Sequence, residues 1–199
     1  MNYFAHLTLA RPSVESKVGN LLGDFMRGVR EEALPDPVRC GLANHRLVDR
    51  VTDRHPAVVA SRQLFSPQRR RFAGVALDVL FDHFLIRHWQ RFHHRPLQSV
   101  IQADYAWLAQ GERLMPEPMR ATTRRMAEFD WINHYATVEN VGRALDRIAE
   151  RVRFRNDFAG ALEDILRHYD QFESVFLTLY PQLQETVRCQ GLERSGAPH

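Results

Sequence analysis

Cysteine, lysine and long apolar runs are what this chain has least of. Cys40 and Cys189 are the only two cysteines in 199 residues and form no C-x-x-C pair, which excludes a disulfide framework and a thiolate metal centre. Lys17 is the single lysine, so almost all the positive charge is arginine, and the formal net charge is only +3. That near balance, without an aromatic and basic surface pattern, argues against nucleic acid as a partner. No apolar run approaches the roughly 20 residues of a membrane span. The N-terminal "MNYFAHLTLARP" lacks a basic leader and is interrupted by His6, which argues against a secretory signal. Reduced thiols, no span and no leader together predict a cytoplasmic location.

Period-two alternation is also missing. Apolar residues recur at helical spacing nearly everywhere, so the expected fold is all-α. The length suits one compact multi-helix domain, residues 1–190, followed by a polar tail at 191–199. Breakers divide the chain. Pro12 and Ser13 open a helix through "VGNLLGDFM"; Pro35, Asp36 and Pro37 open the next, and His55-Pro56 closes it. Further helices are expected at 57–65, 68–94, 96–110, 117–135, 137–152 and 157–179, with Pro67, Pro96, Pro116, Pro118 and Pro181 at joints.

The chemistry-bearing residues lie in the first 83 positions. "LDVLFDHFLIRHW", residues 77–89, reads as a core helix, yet it places Asp78 and Asp82 on one face with His83 beside the second. Carboxylates among apolar neighbours are costly unless something compensates them. "HRLVDRVTD" repeats the pattern: His45, Asp49 and Asp53 recur at i+4, bordered by Val38, Leu42 and Val48. Arg46, Arg50 and Arg54 run one step round the same helix, where pairing with the aspartates would give an ordinary solvated face. His6 in "FAHLTLA" and Asp24 in "GNLLGDF" each sit among apolar residues, and singly a histidine so placed is usually a hydrogen-bonded core residue. As a set, these acids and imidazoles suit a divalent cation, which would neutralise carboxylates that otherwise repel. Mixed imidazole and carboxylate donors without thiolate point to Mn²⁺, Fe²⁺, Mg²⁺ or Zn²⁺. In the C-terminal half, Leu162, Ile165, Leu166, Tyr169, Phe172 and Phe176 form an amphipathic stripe best read as packing.

The segments "MNYFAHLTLA", "GNLLGDFMRG", "HRLVDRVTD", "LDVLFDHFLIRHW" and "HYDQFESVFLTLYP", in this order, make the chain similar to the bacterial acyl carrier protein phosphodiesterases. The resemblance implies a fold distantly related to the HD-type metal phosphohydrolases and a Mn²⁺-preferring site, with Mg²⁺ or Fe²⁺ as alternatives. It also implies hydrolysis of the phosphodiester that joins 4′-phosphopantetheine to a serine of holo acyl carrier protein. It places the family's acidic residue at Asp24, its His and Asp at His45 and Asp49, and its later pair at Asp82 and His83. Asp-His at 82–83 inverts the HD dyad, and Thr8 stands where some members carry a second His.

The resulting expectation is a metal-activated water attacking phosphorus. His6, Asp24, His45 and Asp82 are the expected ligands; Asp24, Asp49, Asp78 and His83 are candidates for catalysis, for orientation or for a second metal. An acidic carrier protein would be steered by positive charge around the site, for which Arg27, Arg46 and Arg50 are the candidates, with Arg30, Arg54 and "RRR" at 69–71 nearby. The alternative function is an HD-like metal phosphohydrolase acting on a nucleotide or other small phosphodiester.

Overall fold

The computed structural model describes residues 1–153 and 156–193; residues 194–199 of the expected polar tail lie outside them. Among the described residues the chain forms helices and no strand. In order these are α1 (Tyr3–Leu9), α2 (Val14–Leu22), α3 (Asp36–Arg54), α4 (Pro56–Ser61), α5 (Ala73–Arg87), α6 (Trp89–Phe92), α7 (Leu97–Gln110), α8 (Glu117–Glu128), α9 (Trp131–His134), α10 (Val138–Arg151), α11 (Leu162–Arg167) and α12 (Tyr169–Gln190). No helix among them is long and apolar enough to cross a membrane.

Helix α5 is the central rod. Eleven of its residues are buried, from Ala73 to Ile86, so it meets protein on nearly every side. It packs on α12 through aromatic rings, with Phe81 and Phe84 at 5.8 and 5.9 Å from Phe176. Helices α2 and α3 cross where both lack side chains. A Cβ on Gly19 would lie 2.3 Å from the Val38 carbonyl oxygen and 2.8 Å from Gly41 Cα, and one on Gly41 would lie 2.9 Å from the Ser16 carbonyl oxygen. Only glycine permits that approach, and it brings the end of α2 against the middle of α3.

The seven-residue α1 is too short to be stable alone and is tied at both ends. Asp82, fully buried, accepts hydrogen bonds from the backbone N–H groups of Phe4 (3.0 Å) and Ala5 (2.9 Å), two donors the first turn of a helix leaves unpaired. At the other end Lys17 donates to the Leu7 carbonyl at 2.6 Å and pairs with the buried Asp104 at 2.7 Å. Thr8 bonds the hydroxyl of Tyr180 at 2.9 Å.

Several helices break where no proline marks the sequence. The expected 68–94 helix is interrupted at His88, the 157–179 helix at His168, and the 117–135 helix at Asp130, whose φ of +46° is left-handed. Aspartate tolerates that conformation better than most residues. Pro181, expected at a joint, lies inside α12, where burial of Leu179, Tyr180 and Leu183 holds the helix together past the missing N–H. Beyond Gly191, Glu193 folds back and accepts hydrogen bonds from Asn20, Ser16 and the backbone of Arg11.

Replacing Asp82 by Ala would strand both α1 donors and is expected to cost about 3 kcal/mol in chemical denaturation. Burial raises the Asp82 carboxyl from 3.8 to about 7, against the lowering effect of the two backbone bonds. The folded state therefore binds this proton more tightly than the unfolded chain. Its contribution is fully present below about pH 4 and lost as pH rises through about 7, so Asp82→Asn should flatten the pH slope of stability across that window.

Candidate functional site

The site assembles at the buried face of α3. His45 and Asp49 follow one another at i+4, and the imidazole of His6 arrives from α1 to stack on that of His45, with ring centroids 4.0 Å apart and planes at 20°. The stack turns both Nε2 atoms toward one carboxylate. His6 Nε2 lies 3.1 Å from Asp49 Oδ1, and His45 Nε2 lies 3.0 Å from Asp49 Oδ2. One donor atom from each of the three residues falls within 4.8 Å of the others.

The tautomer of His45 is decided by its other nitrogen. Nδ1 lies 2.8 Å from the Asn20 carbonyl oxygen, which can only accept, so Nδ1 carries hydrogen and the neutral ring has its lone pair on Nε2. That lone pair faces a carboxylate oxygen, an arrangement that calls for a proton or another cation between them. Asn20 is itself held: its side chain accepts from Asn44 at 2.9 Å and donates to Glu193 at 2.5 Å. His6 is completely buried, and neither of its ring nitrogens has an in-line hydrogen bond among the described residues, despite the nearness of Asp49.

Electrostatics follow from this packing. Burial brings the His6 imidazole down to about 3, outweighing the pull of Asp49, so the ring is neutral. For His45, burial also lowers the pKa, but the Asp49 carboxylate and then Asp24 more than reverse it, and the net shift is upward. Asp49 is pushed up by burial but held far below the usual carboxylate range by the close imidazole nitrogens of His45 and His6 and by the Met1 ammonium. The Met1 α-ammonium, buried, sits 3.3 Å from Asp49 Oδ1 and 2.9 Å from Asp78 Oδ1; these two carboxylates overcome its desolvation and raise it to about 10.

The remaining candidates are placed as follows. Asp24 lies in the 3₁₀ turn Gly23–Phe25 that ends α2; the residue is exposed and carries no hydrogen bond or ion pair among the described residues. Although the residue is exposed as a whole, its carboxyl is raised, first by the protein packed around it and then by Asp49 and Asp78, against the lowering pull of His45 and the Met1 ammonium. Asp78 is partly exposed on the ammonium. Asp82 is occupied with the α1 backbone. His83 has both nitrogens engaged: Nδ1–H donates to the Tyr135 carbonyl at 2.7 Å, so Nε2 accepts from the Tyr169 hydroxyl at 2.6 Å. The structure thus joins His6, His45 and Asp49, sets Asp24 and Asp78 around them, and leaves Asp82 and His83 in supporting contacts. Arg46 is exposed and forms a two-pronged pair with Glu31, at 3.0 and 2.7 Å, whereas Arg27 and Arg50 are exposed with no ion pair among the described residues.

Two further residues matter that the sequence reading did not single out. A Cβ on Gly23 would fall 2.0 Å from the His45 ring, so only glycine leaves room for the imidazole. Asn20 fixes the tautomer. Both lie in "GNLLGDF", where the visible signals are a polar residue within an apolar turn and a glycine just before the acid.

Comparison with known proteins gives a consistent result. Residues 1–183 match the family model described as "Acyl carrier protein phosphodiesterase". A protein of that name from Pectobacterium atrosepticum is 35% identical over 193 residues, covering 96% of this chain and 100% of its own. Relatives of the same name from Serratia proteamaculans and Escherichia coli are 36% and 35% identical with the same coverage. No solved structure matches significantly.

Gly23→Ala is expected to keep the far-ultraviolet circular dichroism of the parent but, by displacing His45, to weaken Mn²⁺ binding about ten-fold or more in a calorimetric titration. Because His45 must shed its Nε2 proton to act as a ligand, Mn²⁺ uptake should release a proton below the raised imidazole pKa, and affinity should climb with pH there. Calorimetry in buffers of different ionisation enthalpy reads that proton directly.

Proposed function

The chain belongs to the acyl carrier protein phosphodiesterase family, and on that premise we propose that it uses the His6, His45 and Asp49 cluster to hydrolyse the phosphodiester joining 4′-phosphopantetheine to the carrier serine, giving apo carrier protein. The observation that carries this reading is the convergence of His6 Nε2 and His45 Nε2 on the two oxygens of Asp49, at 3.1 and 3.0 Å, with His45 Nδ1 already spent on the Asn20 carbonyl. Such a donor set fits a divalent cation, and its imidazole and carboxylate chemistry suits Mn²⁺, with Mg²⁺ or Fe²⁺ as alternatives. Bound there, the cation would supply Lewis-acid polarisation of the phosphoryl oxygens and acidify water.

The chain's own residues do the rest. Asn20 and Gly23 hold His45 in one tautomer and one orientation, and Asp82 and Lys17 hold α1 so that His6 meets it. The cationic Met1 ammonium offsets the charge of Asp49 and Asp78, which would otherwise repel an anionic diester. Asp24, unpaired and with a raised pKa, takes the proton from the attacking water as oxygen adds to phosphorus. The phosphorus–serine oxygen bond breaks on the opposite side of phosphorus, where the serine oxygen takes a proton from solvent while Asp24 gives its proton up to solvent, so the products are a free serine hydroxyl and 4′-phosphopantetheine.

Incubation with Mn²⁺ and holo carrier protein, followed by intact-mass spectrometry, is expected to show loss of the phosphopantetheine group from the carrier. Asp24→Asn should lower kcat by about 10²-fold or more while Mn²⁺ binding persists. Hydrolysis of small diesters with the holo carrier left intact would favour a small-molecule phosphohydrolase instead, and full kcat in Asp24→Asn would remove the proton-transfer role.

A further inference from the structure

A groove of about 830 Å³ lies between the start of α1, α5 and the α8–α10 segment, and its walls are of two kinds. One is apolar and aromatic: Tyr3, Val79, Phe129, Trp131, Tyr135 and Ile148. The other is cationic: Arg143, Arg147 and Arg151 recur at i+4 along α10, and Arg125 faces them from α8. All four arginines are exposed, and none makes an ion pair with a carboxylate among the described residues; Arg143 donates only to Asn140. Unpaired guanidinium groups along an apolar trough present donors for an anionic or carbonyl-bearing ligand with an apolar body.

Three further observations mark this groove as a built site. Asn2 Nδ2, on its lining, is buried with no in-line hydrogen bond among the described residues, although it lies near enough to the Tyr135 hydroxyl to perturb it. Phe129 leaves about half its surface in solvent, unusual for a ring of that size. Between Phe129 and Trp131 stands Asp130, the one non-glycine described residue with positive φ, held there by the Tyr105 hydroxyl and Asn133. That corner sets two aromatic rings on the groove wall.

Two lining residues are chain neighbours of groups at the candidate centre: Asn2 follows Met1 and Val79 follows Asp78, the two residues joined by the ammonium–carboxylate pair. The Tyr3 phenol, raised mainly by burial, feels the charges of both Asp24 and Arg151. Tyr3 also stacks on Phe25, the neighbour of Asp24, with centroids 6.3 Å apart.

Resting on the phosphodiesterase reading above, we propose that this groove is the subsite for the phosphopantetheine arm of the substrate. The arm's phosphate end lies toward Asp24 and Asp49, its methyl-bearing segment against Tyr3, Tyr135 and Trp131, and its amide carbonyls within reach of Asn2, Arg147 and Arg151. The groove therefore selects the group that is removed, and α10 is a specificity element.

Free 4′-phosphopantetheine is the probe. Isothermal titration should show it binding the full chain, with Arg147→Ala and Arg151→Ala each weakening binding about ten-fold, as expected for loss of a charge-assisted hydrogen bond. The same variants should raise KM for holo carrier protein by a similar factor with a smaller change in kcat. Ala144→Trp, which fills the groove from α10, should abolish binding of the probe, and Arg113→Ala, exposed and outside the groove, should match wild type in every measurement. If wild type turns over holo carrier while the groove variants retain wild-type Kd and KM, the subsite is overturned and the phosphodiesterase reading stands. If wild type leaves holo carrier intact, the functional reading has failed and takes the subsite with it.

Discussion

The two hydrogen bonds from the first turn of α1 to the Asp82 carboxylate are the contact on which the rest of the site depends. A helix of seven residues cannot hold itself, so its position is decided by what it touches at its ends. Asp82 holds the N-terminal end and the Lys17–Asp104 pair the C-terminal end. With both fixed, His6 has one place to go, stacked on His45, and the Met1 ammonium is delivered between Asp49 and Asp78. The acids of α5 thus divide their work: Asp82 builds the site and Asp78 faces it.

At the centre the Asp49 carboxylate is the hub. It draws two imidazole nitrogens and an ammonium within about 3.3 Å, and the ammonium charge together with the imidazole contacts keeps it ionised despite partial burial. Support for His45 is layered. Its ring is pinned by the Asn20 carbonyl, and the Asn20 side chain is bonded in turn to Asn44 and Glu193. Gly23 leaves the gap the ring fills. The glycine crossing of α2 and α3 is what brings Asn20 and Gly23 against His45.

Much of the fold was legible in the sequence because prolines and helical periodicity act locally. The Asp36–Arg54 helix begins and ends where Pro35, Pro37 and Pro56 say it should. His88, Asp130 and His168 break helices without such a marker, and Pro181 fails to break one, because tertiary packing decides those positions. In the candidate site, His45 and Asp49 could be paired from their spacing on one helix. Asp78 and Asp82 could not be told apart, since they share a face of α5 and differ only in where α1 docks. His83 looked equivalent to its neighbour for the same reason, yet its contacts are with Tyr135 and Tyr169. The ammonium and Gly23 act through proximity in space, which spacing along the chain does not encode.

His6, His45 and Asp49 are proposed to form a single cation site. Anomalous diffraction from crystals grown with Mn²⁺, collected on both sides of the manganese edge, tests it most directly. The expected result is a manganese peak within coordination distance of His6 Nε2, His45 Nε2 and an Asp49 oxygen. A peak bound instead by Asp82 and His83, or no manganese at the three residues at saturating concentration, would contradict it.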